Sequence, residues 1–153
     1  GSFDMMHSEL ITSVQTGHKI NVVLFDNAAF GCINNLEVGK GNACITTEKN
    51  MLEPGVTNGI HKGKVIMVDY AAIGAAYGCK TYTCKTQEEL EAAIEDAKKQ
   101  TVSTLIDVKV LPKTMTDGYE AWWNVGIATT SQKDSVNAAC ESVMEGRSQA
   151  RSY

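Results

Sequence analysis

The chain has 153 residues, 43% hydrophobic and 21% charged, one domain's worth of ordinary globular sequence. A net charge of −4 and a pI near 5.4 remove the electrostatic reason to expect nucleic acid or an anionic membrane as partner. No apolar run approaches the ~20 residues of a membrane span, and no signal-peptide pattern is seen, so a cytoplasmic protein is expected.

The five cysteines, Cys32, Cys44, Cys79, Cys84 and Cys140, contain no C-x-x-C pair. Zinc and thiol redox motifs need closer, regular spacing, so free, buried or partly buried thiols in a reducing compartment are expected. His7, His18 and His61 stand alone and follow no metal-ligand pattern.

In chain order, the spacing predicts a helix over Phe3 to Thr16. Phe3, Met6, Leu10 and Val14 recur at three- and four-residue steps and Ile11 widens the stripe, with Met5 and Met6 assigned to the core. Ser2 stands at the N-cap, Asp4 suits the positive end of the dipole, and Gly17 is the expected stop. A helix with no strand ahead of it implies a piece of chain that starts in mid-domain. Ile20 to Phe25 follows as a strand, in which Val22-Val23-Leu24-Phe25 has the composition of a strand buried on both faces. It stops abruptly at Asp26-Asn27. In an open parallel sheet, ligands bind just beyond such carboxyl ends.

Ala28 to about Lys62 holds Gly31, Gly39, Gly41, Pro54, Gly55 and Gly59, so little long secondary structure is expected there. Gly39-Lys40-Gly41-Asn42 lacks the spacing of a phosphate loop. Val68 to Ala76 reads as a short helix ended by Gly78, and Lys80 to Cys84 as a strand. Thr86-Gln87-Glu88-Glu89 is a capping box that opens a helix to Lys99, with Leu90, Ala93, Ile94 and Ala97 on one face. Thr104 to Leu111 is an apolar strand closed by Pro112. This alternation implies α/β architecture, with parallel strands and right-handed crossovers. Lys113 to Thr130 reads as a polar loop carrying Tyr119, Trp122 and Trp123, the tryptophans assigned to packing. Ser131 is expected to cap a final helix through Val136, Ala139, Cys140, Val143 and Met144, frayed from Gly146. The expected division is 1–112 as the main domain and 113–153 as an extension with one helix.

At the corner after β-like Ile20 to Phe25, the Asn27 amide oxygen and nearby carbonyls offer oxygen ligands, which Mg²⁺ prefers. The amino end of the first helix offers unpaired N–H groups to an anion. A simple Asx turn is the other reading of Asp26-Asn27.

Gly1, then the 24 residues Ser2 to Phe25, then Asp26-Asn27, resembles the thiamine diphosphate motif G-D-G, about two dozen residues, N-N. By that resemblance Asn27 and the carbonyl of Ala29 are metal ligands. Gly1 and Ser2 lie against the diphosphate, and Phe3, Ala28, Ala29, Phe30 and Gly31 complete the cofactor-binding stretch. The likeness extends over Phe3 to Leu10, over Asn27-Ala28-Ala29-Phe30-Gly31-Cys32-Ile33-Asn34-Asn35-Leu36, and over Asp107 to Glu120 with Trp122-Trp123. There the chain is similar to the carboxyl-terminal part of the thiamine-dependent hydrolases that open a cyclic 1,2-diketone to 5-deoxyglucuronate in bacterial inositol breakdown. The resemblance implies an incomplete α/β/α sandwich, with thiamine diphosphate and Mg²⁺ as cofactors and a small cyclic diketone as substrate. It also implies missing amino-terminal domains and a homo-oligomer. Asp26 departs from the first asparagine of N-N. The motif's metal-binding aspartate and the cofactor-activating glutamate are not in this chain, so no catalytic residue is assigned and the piece alone is expected to be inactive. The alternatives are an acetolactate-synthase-like carboligase domain and a non-enzymatic α/β binding module. Glu9 is read as a solvated helix carboxylate, and a sheet lacking its leading strands is expected to self-associate.

Overall fold

The computed structural model describes residues 1–56, 62–113 and 126–151. The expectations for Gly59, His61, Tyr119, Trp122, Trp123 and the block from Thr114 to Glu120 lie outside them. In chain order the elements are α1 (Ser2–Met6), a 3-10 turn (His7–Glu9), α2 (Leu10–Thr16), β1 (Asn21–Asp26), α3 (Gly31–Gly39), α4 (Tyr70–Ala76), β2 (Lys80–Cys84), α5 (Gln87–Lys99), β3 (Thr104–Lys109) and α6 (Asp134–Gln149). They fall into two compact units, Gly1–Ala29 with Val65–Thr114, and Phe30–Lys64 with Met115–Tyr153.

The first unit is a parallel sheet in the order β1-β3-β2, with Asn21 to Asp26 in register with Thr104 to Lys109. β3 is central, and Thr104 through Val108 are all buried. Register partners in a parallel pair share a face. On one face Val22, Leu24 and Leu105 pack under Phe3, Leu10, Tyr70, Ile73 and Tyr77. On the other, Tyr82, Cys84, Ile106 and Val108 pack under Leu90, Ala93, Ile94 and Ala97 of α5. The result is an α/β/α arrangement. The capping box is formed, with Thr86 Oγ1 accepting from the Glu89 N–H and the Glu89 carboxylate accepting from the Thr86 N–H. Asp69 caps α4 by accepting from the Ala72 N–H at 2.9 Å.

Several expectations are corrected. β1 is buried on one face only: Val23 and Phe25 stand outside, Phe25 63% exposed, because α5 covers β3 and β2 while β1 lies at the sheet edge. The first helix is broken by the turn at His7–Glu9, where Met6 leaves helical geometry at φ −134. The break lets Phe3 and Leu10 both reach the layer over Leu105 and leaves Met5, Met6, Ile11 and Val14 exposed rather than in the core. Gly1, not Ser2, is the N-cap. Gly17 does end α2, in the left-handed conformation. β3 ends at Lys109, and Leu111 is exposed.

In the second unit, α3 occupies a stretch expected to be irregular. Its Asn34 is buried and donates to Thr47 Oγ1 at 3.1 Å, while Thr47 Oγ1 donates to the Glu37 carboxylate at 2.7 Å. α6 begins at Asp134 after Lys133 as N-cap; Ser131 Oγ accepts from the Lys133 N–H ahead of it, and the helix runs on through Gln149 rather than fraying at Gly146. Val136 and Val143, two turns apart, are its buried residues. Gly41, at φ +76, is packed so closely on the Ser135 carbonyl that a Cβ would collide with it, so only glycine fits.

Leu105→Ala, at the centre of the sheet, is expected to cost ~2–5 kcal/mol and Thr86→Ala about 1 kcal/mol. Urea unfolding checks both; equal midpoints for the two variants would contradict the central place of β3.

Candidate functional site

The carboxyl end of β1 is a tight turn. Asp26, 4% exposed, uses one carboxylate oxygen to accept from the Ala28 N–H at 3.0 Å. Half-buried Asn27 uses its amide oxygen to accept from the Ala29 N–H at 3.2 Å. Ala28, between Asn27 and Ala29, sits at φ +53, a conformation uncommon for a residue with a Cβ. The backbone is tied down from the other side, the Asp26 carbonyl accepting from the Val110 N–H at 3.3 Å and the Asn27 carbonyl from the Lys113 N–H at 2.8 Å.

The second oxygen of Asp26 meets Lys109, its register partner on β3, with Nζ at 2.9 Å. The same Nζ lies 2.7 Å from Asp107 Oδ2 and donates to the Val68 carbonyl at 2.5 Å. Asp107 is fully buried, and the contact is one of charge rather than a directed hydrogen bond: neither of its oxygens has a hydrogen-bond partner. Burial pulls the Lys109 ammonium down, but the carboxylates of Asp107 and Asp26 outweigh it and hold the group above its usual range. Nζ also stands 5.6 Å from the centre of the Tyr70 ring, within cation–π reach. The Tyr70 hydroxyl donates to Asp4 at 2.6 Å, and Phe3 meets the Tyr70 ring edge-on at 5.4 Å. Burial, then the Asp4 carboxylate, push the Tyr70 phenol up. Three successive side-chain contacts thus connect the opening of α1 to the end of β1.

Of the candidate site residues, Gly1 and Ser2 are exposed at the start of α1, Phe3 is half-buried against Tyr70, and Ala28 and Ala29 are buried in the turn beside Asn27. α1 has only five residues, so its dipole is smaller than a helix to Thr16 would provide. Phe30 and Gly31 belong to the second unit, where Phe30 precedes α3, its N–H donating to the Thr47 carbonyl at 2.7 Å, and Gly31 is the first residue of α3. Asn34-Asn35 lies within α3 rather than at a strand end. Glu9 is exposed and accepts from Thr12. None of the five cysteines is in a disulfide; burial raises the Cys44, Cys79 and Cys84 thiols, which keeps them protonated, while Cys32 is exposed rather than buried.

The donors suited to a cofactor metal are oxygens. No group of three His, Cys, Asp or Glu side chains able to hold a metal occurs among the described residues. Asp26 and Asp107 are committed to Lys109. Also at the strand end are the Asn27 amide oxygen, which accepts from the Ala29 N–H, and the Ala29 carbonyl, neutral hard donors of the kind that fit a cation of the Mg²⁺ type sharing its shell with phosphate and water. Sequence reasoning missed Lys109, Asp107 and Tyr70. The signal was present: two opposite charges two residues apart in an apolar strand must share one face.

A parallel sheet with such a turn beyond a strand's carboxyl end is an α/β domain of the kind that binds ligands there. Residues 1–108 match the family model described as "Thiamine pyrophosphate enzyme, C-terminal TPP binding domain", and the chain belongs to this family. Over its whole length it is 56% identical to a 3D-(3,5/4)-trihydroxycyclohexane-1,2-dione hydrolase of Clostridium botulinum (strain Eklund 17B / Type B). It is 54% identical to a protein of that name from Bacillus cereus (strain AH820) and 53% identical to one from Geobacillus thermodenitrificans (strain NG80-2). It spans about a quarter of these relatives, 24%, 23% and 24% respectively, and corresponds to their carboxyl-terminal part. No helix among the described residues is long and apolar enough to cross a membrane.

Lys109 and Tyr70 are held above their ordinary values, and burial with a bond to Asp96 pushes Tyr82 up to about 12. The folded state therefore keeps protons that the unfolded chain releases near pH ~10. Their contribution to stability is complete below about pH 10 and is lost as pH rises through the folded values. Denaturant midpoints measured from pH 8 to 12 should fall only on the alkaline side; a flat profile would contradict the protonated network.

Proposed function

We propose that this chain is the cofactor-binding part of a thiamine-diphosphate-dependent hydrolase that opens the ring of 3D-trihydroxycyclohexane-1,2-dione to 5-deoxyglucuronate, a step of inositol breakdown. The names of the relatives, at over 50% identity across the whole chain, support this substrate. The observation that carries the site is the Asp26–Ala29 turn, in which a buried carboxylate fixes the backbone and the neighbouring asparagine presents oxygen.

Asn27 Oδ1 and the Ala29 carbonyl would hold Mg²⁺. Gly1, Ser2 and Phe3 at the opening of α1 would lie against the diphosphate, and Ala28, Phe30 and Gly31, continuous with the turn, would line the cofactor. When bound, thiamine diphosphate supplies an electron sink for carbon–carbon cleavage next to a carbonyl. The chain's own residues bind and orient; no acid or base for the reaction is assigned among them. We further read 1–112 as the carboxyl-side part of the cofactor domain and 113–153 as an extension, a division supported by the family match ending at residue 108. The rest of the protein would supply the activating carboxylate, the working protein would be a cytoplasmic homo-oligomer, and the piece alone would be inactive.

The test uses the full-length protein. Calorimetry should show thiamine diphosphate binding that requires Mg²⁺, and Asn27→Ala should weaken it by at least ~10-fold, the loss that even an outer-sphere change to a metal site brings. Ring opening of the cyclic diketone should follow. Consumption of pyruvate instead would mark a carboligase, and indifference to both cofactors would end the enzyme reading.

A further inference from the structure

The sheet contains a lysine whose ammonium meets three groups, on two strands and on the chain ahead of α4, and its position bears on the turn above. Lys109 Nζ contacts Asp26 at the end of β1 (2.9 Å), Asp107 on β3 (2.7 Å) and the Val68 carbonyl ahead of α4 (2.5 Å), with 15% of its side chain exposed. Of the three hydrogens of the ammonium, two serve Asp26 and the Val68 carbonyl, while Asp107 is met through charge. Asp26 is therefore fixed at one oxygen by Lys109, and its other oxygen takes the N–H of Ala28, the residue at φ +53. A left-handed alanine is held by its surroundings rather than by its own preference.

We propose that Lys109 is a positioning residue for the metal-ligating turn, acting through Asp26 to fix the conformation in which Asn27 Oδ1 and the Ala29 carbonyl are presented. This rests on the reading of that turn as the cation site. It also gives the departure from N-N a physical reason. An asparagine would offer one oxygen and an NH₂ where Asp26 offers two oxygens, one turned to Lys109 and the other to the Ala28 N–H. Asp26 and Lys109 are register partners, so the acidic substitution and the cation opposite it form one device. Without the lysine, Asp26 and Asp107 would be like charges buried on one face of neighbouring strands, and Asp26 would turn toward water and release the Ala28 N–H.

The test is made in the full-length protein, with calorimetric titration of thiamine diphosphate at stepped Mg²⁺ concentrations, and kcat measured in parallel. Asp26→Asn is nearly isosteric and leaves Lys109 paired with Asp107, so the fold is retained. It should raise the Mg²⁺ concentration for half-saturation by ~10-fold, the usual effect of disturbing a group that orients a metal ligand. At saturating Mg²⁺, kcat should stay within about twofold, a split expected when binding alone is impaired. Lys109→Met should show the same shift wherever it folds; if it does not fold, Asp26→Asn decides. Lys98→Met, which removes an equal charge from an exposed pair with Glu95, should match the wild type. A folded Asp26→Asn protein with an unchanged or lower Mg²⁺ requirement overturns the proposal, because a lysine serving only strand cohesion would leave that requirement alone. A wild type that takes up neither Mg²⁺ nor the cofactor sinks the cation-site reading itself, which is a distinct result.

Discussion

Two carboxylates and one ammonium share the interior at the carboxyl end of this sheet, and the local structure follows from keeping that charge balanced. Asp107 is wholly inside, and Asp26 nearly so. Neither tolerates burial as an unpaired anion, since desolvation would cost several kcal/mol per charge. Lys109 is the cation that faces both, and it does so only if β1 and β3 hold the register in which Asp26 and Lys109 stand opposite one another. A slip by one residue would turn Asp107 and Lys109 away from Asp26 and toward the apolar layer of Leu90, Ala93 and Ile94. The cluster adds little to stability beyond what a hydrophobic set of similar volume would, but it makes one alignment far better than its neighbours.

That alignment separates the roles of two adjacent residues. Asp26 faces inward and its charge is spent on structure. Asn27, one position on, is half-buried in the same turn and carries a neutral oxygen, which accepts from the Ala29 N–H. The division suits a diphosphate site, because a cation there needs oxygen ligands but already meets negative charge from the phosphates. The layers above the sheet reinforce it. Tyr70 spans from Lys109 to Asp4, so the start of α1 and the end of β1 are tied to the same cluster even though the dipole of a five-residue helix is weak.

The elements easiest to read in the sequence were those whose signals are local. The Thr86–Glu89 capping box, the stripe of Leu90, Ala93, Ile94 and Ala97, and the strand from Lys80 to Cys84 need no knowledge of the rest of the chain, and they stand where the spacing puts them. Where tertiary contacts decide, local signals failed. α3 begins and ends on glycine and is held by Asn34, Glu37 and Thr47, side chains that meet only after folding. Met5 and Met6 look like core at helical spacing, yet the 3-10 turn after them sends Leu10 inward and leaves them outside. For the site, the Asp26-Asn27 doublet was visible, but which of the two faces inward was not. That depends on a lysine 83 residues further along the chain, and no spacing rule connects them.

The claim at the centre of this account is that the oxygens of Asn27 and Ala29, and not the carboxylates of Asp26 and Asp107, hold the cation. Mn²⁺ in place of Mg²⁺, in crystals of the full-length protein with thiamine diphosphate, locates it directly by anomalous diffraction. The account predicts a peak within ~2.2 Å of both the Asn27 amide oxygen and the Ala29 carbonyl, the range for hard cations on oxygen. A peak beside Asp26 and Asp107, with Lys109 displaced, would contradict it.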